Sequence, residues 1–356
     1  MEDGFTKRHT LYCKGIAVSL MVIHHLFWNI PDIGVKINGI ALSQRVGIIG
    51  KVCVAIFLLL SGIGIYKSNR DNFSIKQFYS KSILKIYSNY IFIVILSTII
   101  GIIFFKDKFN NMTIDGIKGV IYYLLTCSGF QYIIGYQGFN GAWWFVTVIL
   151  ICYICYPVIR KLVQKDSYKF IVLSFVLSLF DAISLGQIKV FNILAWMFVF
   201  NLGVFITHNN ILFKLKEYVN KVKIRRIIMI ISLLGLLIVR QEIPPQGFIS
   251  IKLEYILSLL IVLAIYVYYE KFKYLRKIIE FLGEYSMNIF YVHMFFTTYY
   301  LKEFTYSLKN PIVIFLFVII LSLLCSISIE KFKNFIKYEV IINKINTKLN
   351  YILSNF

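Results

Sequence analysis

The sequence predicts an all-α integral membrane protein of about ten transmembrane helices, both termini cytoplasmic, with no soluble catalytic domain. Three observations lead there. Of 356 residues, 59% are hydrophobic and 15% charged, against roughly 45–50% and about 25% in an ordinary soluble domain. Apolar runs near the roughly 20 residues needed to cross hydrocarbon recur along the chain. The 38 Lys and Arg, set against 17 Asp and Glu, crowd into alternate segments between those runs, as orienting loop charges do.

The first span is expected at about 10–30, where LYCKGIAVSLMVIHHLFW follows Lys7 and Arg8. It has no convincing small-residue cleavage site and reads as a retained helix. The second, 46–66, contains CVAIFLLLSGIGIY, and the third, 84–105, follows the basic stretch FSIKQFYSKSILKIYSNY. The fourth, 140–160, opens on Trp143 and Trp144, which suit an interfacial aromatic belt, and carries Pro157 deeper in. Six more are expected at 168–186, 190–208, 225–241, 253–269, 282–301 and 311–329. The segment 112–128 is shorter and amphipathic, and is expected in the interface plane. No repeat or Pro/Ser-rich linker divides the chain, so 8–329 reads as one membrane domain and 330–356 as a basic amphipathic cytoplasmic tail.

Loop charges set the orientation. With the N-terminus inside, the inner segments hold 27 of the 38 basic residues and the outer segments 11; an eleventh crossing at 112–128 would spoil this asymmetry. The surplus of +21 is therefore mostly topology. Basic residues scattered between apolar runs, rather than gathered on one polar domain, exclude a nucleic-acid partner. The six cysteines lie mostly inside apolar runs, so no structural disulfide is expected, and the CxxC of Cys152 and Cys155 lacks the strand–helix context of a redox motif. No metal site is expected.

Polar side chains inside hydrocarbon are expensive and mark candidate sites. His25 lies eleven residues after Lys14. At about 100° and 1.5 Å per residue it shares Lys14's helical stripe to within about 20° and lies roughly 16 Å deeper, while His24 is turned about 80° away. A cation at the cytoplasmic mouth and an imidazole below it can hold an anionic cofactor and take a proton from a hydroxyl; the alternative is that each histidine simply hydrogen-bonds a neighbouring helix. Lys81 and Lys85, at i and i+4 before the third span, form a face suited to phosphates or to anchoring. Ser61 and Gly62 suit a close helix contact. His293 shares a face with Ser286 and Gly283, at a depth broadly similar to that of His25, so both histidines can line one cavity.

At these residues the sequence resembles the acyltransferase-3 family of multi-span membrane O-acyltransferases. Lys14 and His25 match the family's first-span pattern of a basic residue, ten residues and His. VAIFLLLSG resembles the second-span pattern through Phe57, Ser61 and Gly62. Lys85 and Tyr90 fit the third-span entry, with Ser88 and Asn89 where Pro is common. Trp144, Phe145, Tyr153 and Pro157 resemble the fourth-span pattern, and LGEYSMNIFYVH its late Gly-x-Tyr-Ser…His segment. Lys in place of Arg at Lys14 and Lys85 keeps the charge and loses the bidentate fork.

The resemblance implies a bacterial plasma-membrane enzyme. It would carry an acetyl or similar acyl group from cytoplasmic acyl-CoA, acetyl-CoA foremost, to a hydroxyl of an exported polysaccharide or lipid-linked glycan. His25 is the expected general base or transient acyl carrier. Lys14, Lys85 and, in support, Lys81 are expected to hold the donor's phosphates, while Ser61, Tyr90, Trp144, Ser286 and His293 line the site. The bilayer, acyl-CoA and the glycan are the expected partners. A glycan or acyl-donor exporter without transfer chemistry is the alternative.

Overall fold

The computed structural model describes residues 4–30, 33–70, 73–110, 116–183, 188–244 and 247–354. Its helices in chain order are α1 Lys7–Phe27, α2 Leu42–Gly50, α3 Cys53–Ser68, α4 Ile75–Phe78, α5 Leu84–Phe104, α6 Lys106–Asn110, α7 Gly116–Ser128, α8 Trp144–Lys165 and α9 Ser167–Leu179. They continue with α10 Val190–His208, α11 Ile211–Asn220, α12 Lys223–Gln241, α13 Phe248–Tyr268, α14 Lys273–Glu284, α15 Ser286–Met294, α16 Lys302–Ser307, α17 Pro311–Phe335 and α18 Tyr338–Ser354. Among the described residues the fold is all-α apart from one hairpin, β1 Lys36–Ile37 paired antiparallel with β2 Ile40–Ala41. Asn38 and Gly39 turn it with φ of 52° and 78°, the left-handed pair that an Asn-Gly loop adopts most readily.

Among the described residues, seven helical segments are long and apolar enough to cross a bilayer: Lys7–Phe27, Leu42–Ser68, Ile75–Phe104, Gly141–Lys165, Val190–His208, Phe248–Lys271 and Pro311–Phe335. Each overlaps an expected span. The other three expected spans are helical but less regular. α9 runs 13 residues before a 3-10 turn at Phe180–Ala182; α12 carries Lys223, Arg225, Arg226 and Arg240. The segment expected at 282–301 is broken at Tyr285 between α14 and α15 and ends in a π turn, Phe295–Tyr299. Of the amphipathic segment at 112–128, α7 covers 116–128, and 112–115 lie outside the described residues.

Helix starts follow their local chemistry. The side chain of Asn310 accepts from the N–H groups of Ile312 (2.9 Å) and Val313 (3.3 Å), and Pro311 occupies the first turn, where its missing N–H costs nothing. Asp166 caps α9 by accepting from the N–H of Lys169 at 3.0 Å. Large apolar side chains such as Ile95, Ile99, Ile102 and Ile103 on α5 and Ile312, Leu316, Ile320 and Leu324 on α17 are exposed, as a lipid-facing surface requires. All six cysteines are free thiols.

α1 is central, packed on α14, α2, α3 and α15, while α10 packs on α3, α9 and α8. Glycines permit the tightest crossings. A Cβ at Gly62 would lie 2.2 Å from the Phe200 carbonyl, and one at Gly203 2.3 Å from the Leu59 carbonyl. Gly283 and Gly15 do the same for α14 against α1, with 2.0 Å to the Leu11 carbonyl and 1.9 Å to that of Ile279. Small residues let backbones approach where apolar lipid offers no drive to associate. These crossings run α14 and α15 alongside α1, so residues far apart in sequence meet at one depth.

Candidate active site

Two cavities lie along that shared line. The first, of about 450 Å³, is bounded by the C-terminal end of α1 through His24, His25 and Trp28, by Lys51 between α2 and α3, by Trp144 of α8, and by Phe290 and Met294 of α15. The second, of about 590 Å³, is bounded by Lys81 and Lys85 at the entry of α5, Glu284, Tyr285 and Asn288 around the α14–α15 break, Glu330 and Lys333 of α17, and Tyr338 of α18. Asn288 faces one cavity and Phe290 the other. At about 1.5 Å per residue the two approach within one helical turn of each other along α15.

Three histidines stand at the first cavity. The ring of His25 lies 4.9 Å from that of His293 and 5.1 Å from that of His24, centroid to centroid. His24 donates from Nδ1 to the Gly47 carbonyl at 2.8 Å and stacks on Trp28, so its ring is bound up with α2. His293 is fully buried and donates from Nδ1 to the carbonyls of Phe290 (2.9 Å) and Ile289 (3.2 Å). That commitment places its proton on Nδ1 and leaves Nε2 an acceptor, which is buried with no hydrogen-bond partner among the described residues. His25 is only half-buried and makes no hydrogen bond to another described residue. Of the three it alone combines cavity exposure with two uncommitted ring nitrogens.

The helix carrying His293 is fixed from outside. Asn140 Nδ2 and Trp143 Nε1 both donate to the Tyr291 carbonyl at 3.2 Å, and the Gly141 N–H donates to the Tyr299 hydroxyl at 2.8 Å. The π turn that starts at Phe295 gives carbonyls near His293 an irregular pattern, a feature frequent at functional sites. A second π turn, Tyr79–Ile83, holds Lys81 just before α5.

The second cavity is polar and carries both signs of charge, Lys81, Lys85 and Lys333 beside Glu284, Glu330 and Glu339. Asn89 Nδ2 donates to Asn288 Oδ1 at 3.1 Å, Asn288 Nδ2 to Glu330 Oε1 at 2.6 Å, Lys333 Nζ to Glu330 Oε1 at 2.9 Å, and Lys333 Nζ also to Asn89 Oδ1. This closed ring locks α5, α15 and α17 together. Tyr338 donates to the Ser88 carbonyl at 2.7 Å. Ser88 and Asn89, the departures from the third-span pattern, are thus both used. Lys81 and Lys85 are exposed at the rim.

The sequence-predicted residues therefore divide. His25 and Trp144 line the first cavity, with His293 behind His25; Lys81 and Lys85 line the second. Lys14 is half-buried on α1 and lines neither, and feels the charges of Lys85 and Lys7. Tyr90 is fully buried, donating to the Thr126 carbonyl at 2.7 Å and packed edge-on to Trp143. Ser286 is buried and donates to the Gly283 carbonyl at 2.8 Å, and Ser61 lies against Tyr153. Lys51, Tyr132, Lys189, Asn192 and Trp196 also line the first cavity and were not singled out from sequence. For Lys51 a signal existed, an ionisable residue inside the apolar run IIGKVCVAIF.

Residues 12–331 match the family model of the acyltransferase domain Acyl_transf_3. The chain belongs to the acyltransferase-3 family. No curated protein and no solved structure matches it. The family match takes in α1 from Tyr12 to α17, so both cavities lie largely within the acyltransferase-3 region, and with the seven apolar helices it makes the protein a multi-pass membrane acyltransferase.

Proposed function

We propose that this acyltransferase moves an acetyl or similar acyl group from acyl-CoA, taken up on the cytoplasmic side at the Lys81 and Lys85 cavity, to a hydroxyl of an exported glycan held in the His25 cavity. The observation that carries this reading is the placement of His25. It is a cavity-facing imidazole backed by a second, buried imidazole whose Nε2 accepts, one helical turn along α15 from a polar cavity whose rim carries Lys81 and Lys85. In the direct mechanism His25 takes the proton of the acceptor hydroxyl, the hydroxyl oxygen bonds to the thioester carbonyl carbon, and the carbon–sulfur bond breaks. The proton passes from His25 to the leaving thiolate, which departs as CoA thiol. His293, its Nδ1–H held by two carbonyls, offers Nε2 to a His25 N–H and orients the ring, as the third member of a nucleophile–base–orienter set does. The transient acyl-imidazole of His25 is the alternative course of the same chemistry. Lys14, on the stripe of His25 and within electrostatic reach of Lys85, supports the donor's negative charge. The protein would then reside in a bacterial plasma membrane.

The test is His25→Ala, or deletion of the gene, with ester-linked acetate and total glycan measured at the cell surface. Glycan unchanged but unacetylated is the expected outcome. Glycan missing outside and retained inside would replace the enzyme by an exporter. His24→Ala, which removes a hydrogen bond to α2 rather than the base, is expected to lose less activity, and equal loss in the two variants would refute the choice of His25.

A further inference from the structure

The first cavity has an apolar floor on the side that faces the second. Helix directions define that side. Lys67, near the end of α3, donates to the Phe5 carbonyl at 2.8 Å, just before α1 begins. Tyr66 meets His208 Nδ1 at the end of α10, and the Arg160 guanidinium, near the end of α8, stands 5.7 Å from the Tyr66 ring centroid. α1 therefore starts where α3, α8 and α10 end. The second cavity lies toward that end: Tyr79, next to its Ser80, donates to the Ile154 carbonyl of α8 at 2.8 Å, about 13 Å along the helix from Phe145. On each of these helices, and on α15 where it turns from one cavity to the other, the first cavity's lining residue nearest that end is large and apolar: Met21, Phe57, Phe145, Trp196 and Phe290. The phenyl rings touch. Centroids of Phe57 and Phe145 are 6.3 Å apart and those of Phe145 and Phe290 5.5 Å, as in packed aromatic pairs. Core packing does not account for them, because their sequence neighbours Ile56, Leu58, Val146 and Ile289 are the buried side chains. The three phenyl residues stay half-buried and turned to the cavity.

We infer that this row of rings is the acyl-length filter of the enzyme, set for a short chain, with Phe290 the ring that the acyl group touches. The inference rests on the acyl-transfer reading of His25 and narrows its donor. The Phe290 ring lies 6.5 Å from that of His293, which lies 4.9 Å from that of His25, centroid to centroid. Met21, in the floor, is about one helical turn before His25 on α1. The base therefore stands roughly one turn above the rings. A donor held by its phosphates at Lys81 and Lys85 brings its thioester carbonyl to His25 by leading with its acyl end across the row, so the rings meet the acyl chain first. Rings in contact leave no open groove between them, and a buried aromatic face gives way less than a flexible aliphatic chain. A methyl group passes with a small displacement, whereas each further methylene has to be lodged against phenyl carbon. One methylene in a fitted apolar pocket changes kcat/KM by about 10–200-fold.

Membrane vesicles from cells that carry the gene at its own locus, and so hold the native acceptor, are supplied with acetyl-, propionyl-, butyryl- or hexanoyl-CoA labelled in the acyl group. Alkali-labile label is counted against vesicles of the His25→Ala variant. The parent should favour acetyl, with butyryl at least about tenfold slower. Phe290→Ala should raise the ratio of butyryl to acetyl transfer by about tenfold or more. Phe145→Leu should move the ratio the same way by a smaller factor, and it decides alone if Phe290→Ala does not fold. Phe200→Leu is the control for a merely structural loss: Phe200 is fully buried one turn past Trp196 on α10 and lines neither cavity, so any fall in rate there should be equal for all four chains. A parent that uses hexanoyl as well as acetyl, or a ratio unmoved in the folded Phe290 and Phe145 variants, overturns the inference while leaving acyl transfer at His25 intact. Absence of His25-dependent label from all four donors defeats the acyl-transfer reading itself, and the filter falls with it.

Discussion

A single methyl group at Gly50 tests whether the geometry around His25 governs turnover. Gly50 ends α2 against α1, and a Cβ there would lie 2.5 Å from the Leu20 carbonyl and 3.1 Å from both the backbone N and Cβ of His24. Ordinary contact begins at 3.4 Å, so Gly50→Ala forces the two helices apart by about 0.9 Å. The closest atom met, the Leu20 carbonyl oxygen, is backbone, which does not give way as the far end of a flexible side chain does. The displacement falls on the turn that carries His24 and His25 and on the neighbour of Lys51, and it stretches the His24 Nδ1–H bond to the Gly47 carbonyl, now 2.8 Å. Misplacement of a reacting group by about 1 Å costs on the order of a hundredfold in rate, while overpacking of this kind costs about 1–3 kcal/mol of stability. Acyl transfer and thermal unfolding of the purified protein, measured together, should therefore show a folded variant with a turnover about a hundred times lower. The control is Gly64→Ala on α3, where an added Cβ meets nothing within 4 Å. It should keep full activity and gain up to about 1 kcal/mol in helix propensity. Undiminished turnover in Gly50→Ala, or equal losses in the two variants, would refute the claim that α1–α2 spacing positions the base.

Two further outcomes are expected. Lys85→Met removes a cation from the rim of the second cavity and should raise the KM for acyl-CoA by about tenfold, the scale of about 1.4 kcal/mol for one charged contact. It should leave turnover at saturating donor nearly unchanged; a fall in kcat alone would move Lys85 out of the donor site. Glu254→Gln leaves Arg240 buried without its carboxylate partner, and breaking a buried pair from one side costs about 3–5 kcal/mol. Thermal unfolding in detergent should register that loss, and a variant as stable as the parent would show that the Arg240–Glu254 pair carries no net stabilisation.

Much of the fold was legible because it is local. Hydropathy and the 3.6-residue period mark α1, α3, α5, α8, α10, α13 and α17 wherever charge is sparse, and the Lys14–His25 stripe follows from helix geometry alone. The same arithmetic was less informative where several basic residues share a helix, as in α12, and it gave no sign of the break at Tyr285, which arises where α14 ends against α1 at Gly283. Shared helical faces also did not translate directly into shared cavities. Ser286 and His293 lie on one face of their segment, yet Ser286 is turned to the Gly283 carbonyl while His293 backs His25.

Taken by itself, the sequence determined that the chain is a bundle of membrane helices, that His25 rather than His24 shares a stripe with Lys14, and that the basic residues behind the +21 charge crowd between the apolar runs. These properties depend on composition and on intervals of a dozen residues or fewer. Tertiary structure decided which residues meet: His25 with His293, 268 positions later; Asn89 with Asn288, Glu330 and Lys333; Lys51 with Trp196. Such pairings depend on where glycines allow backbones to touch and on how buried polar groups find partners across helices. Neither is encoded at a fixed spacing, so the division into a polar cavity of mixed charge and a histidine cavity emerged only with packing.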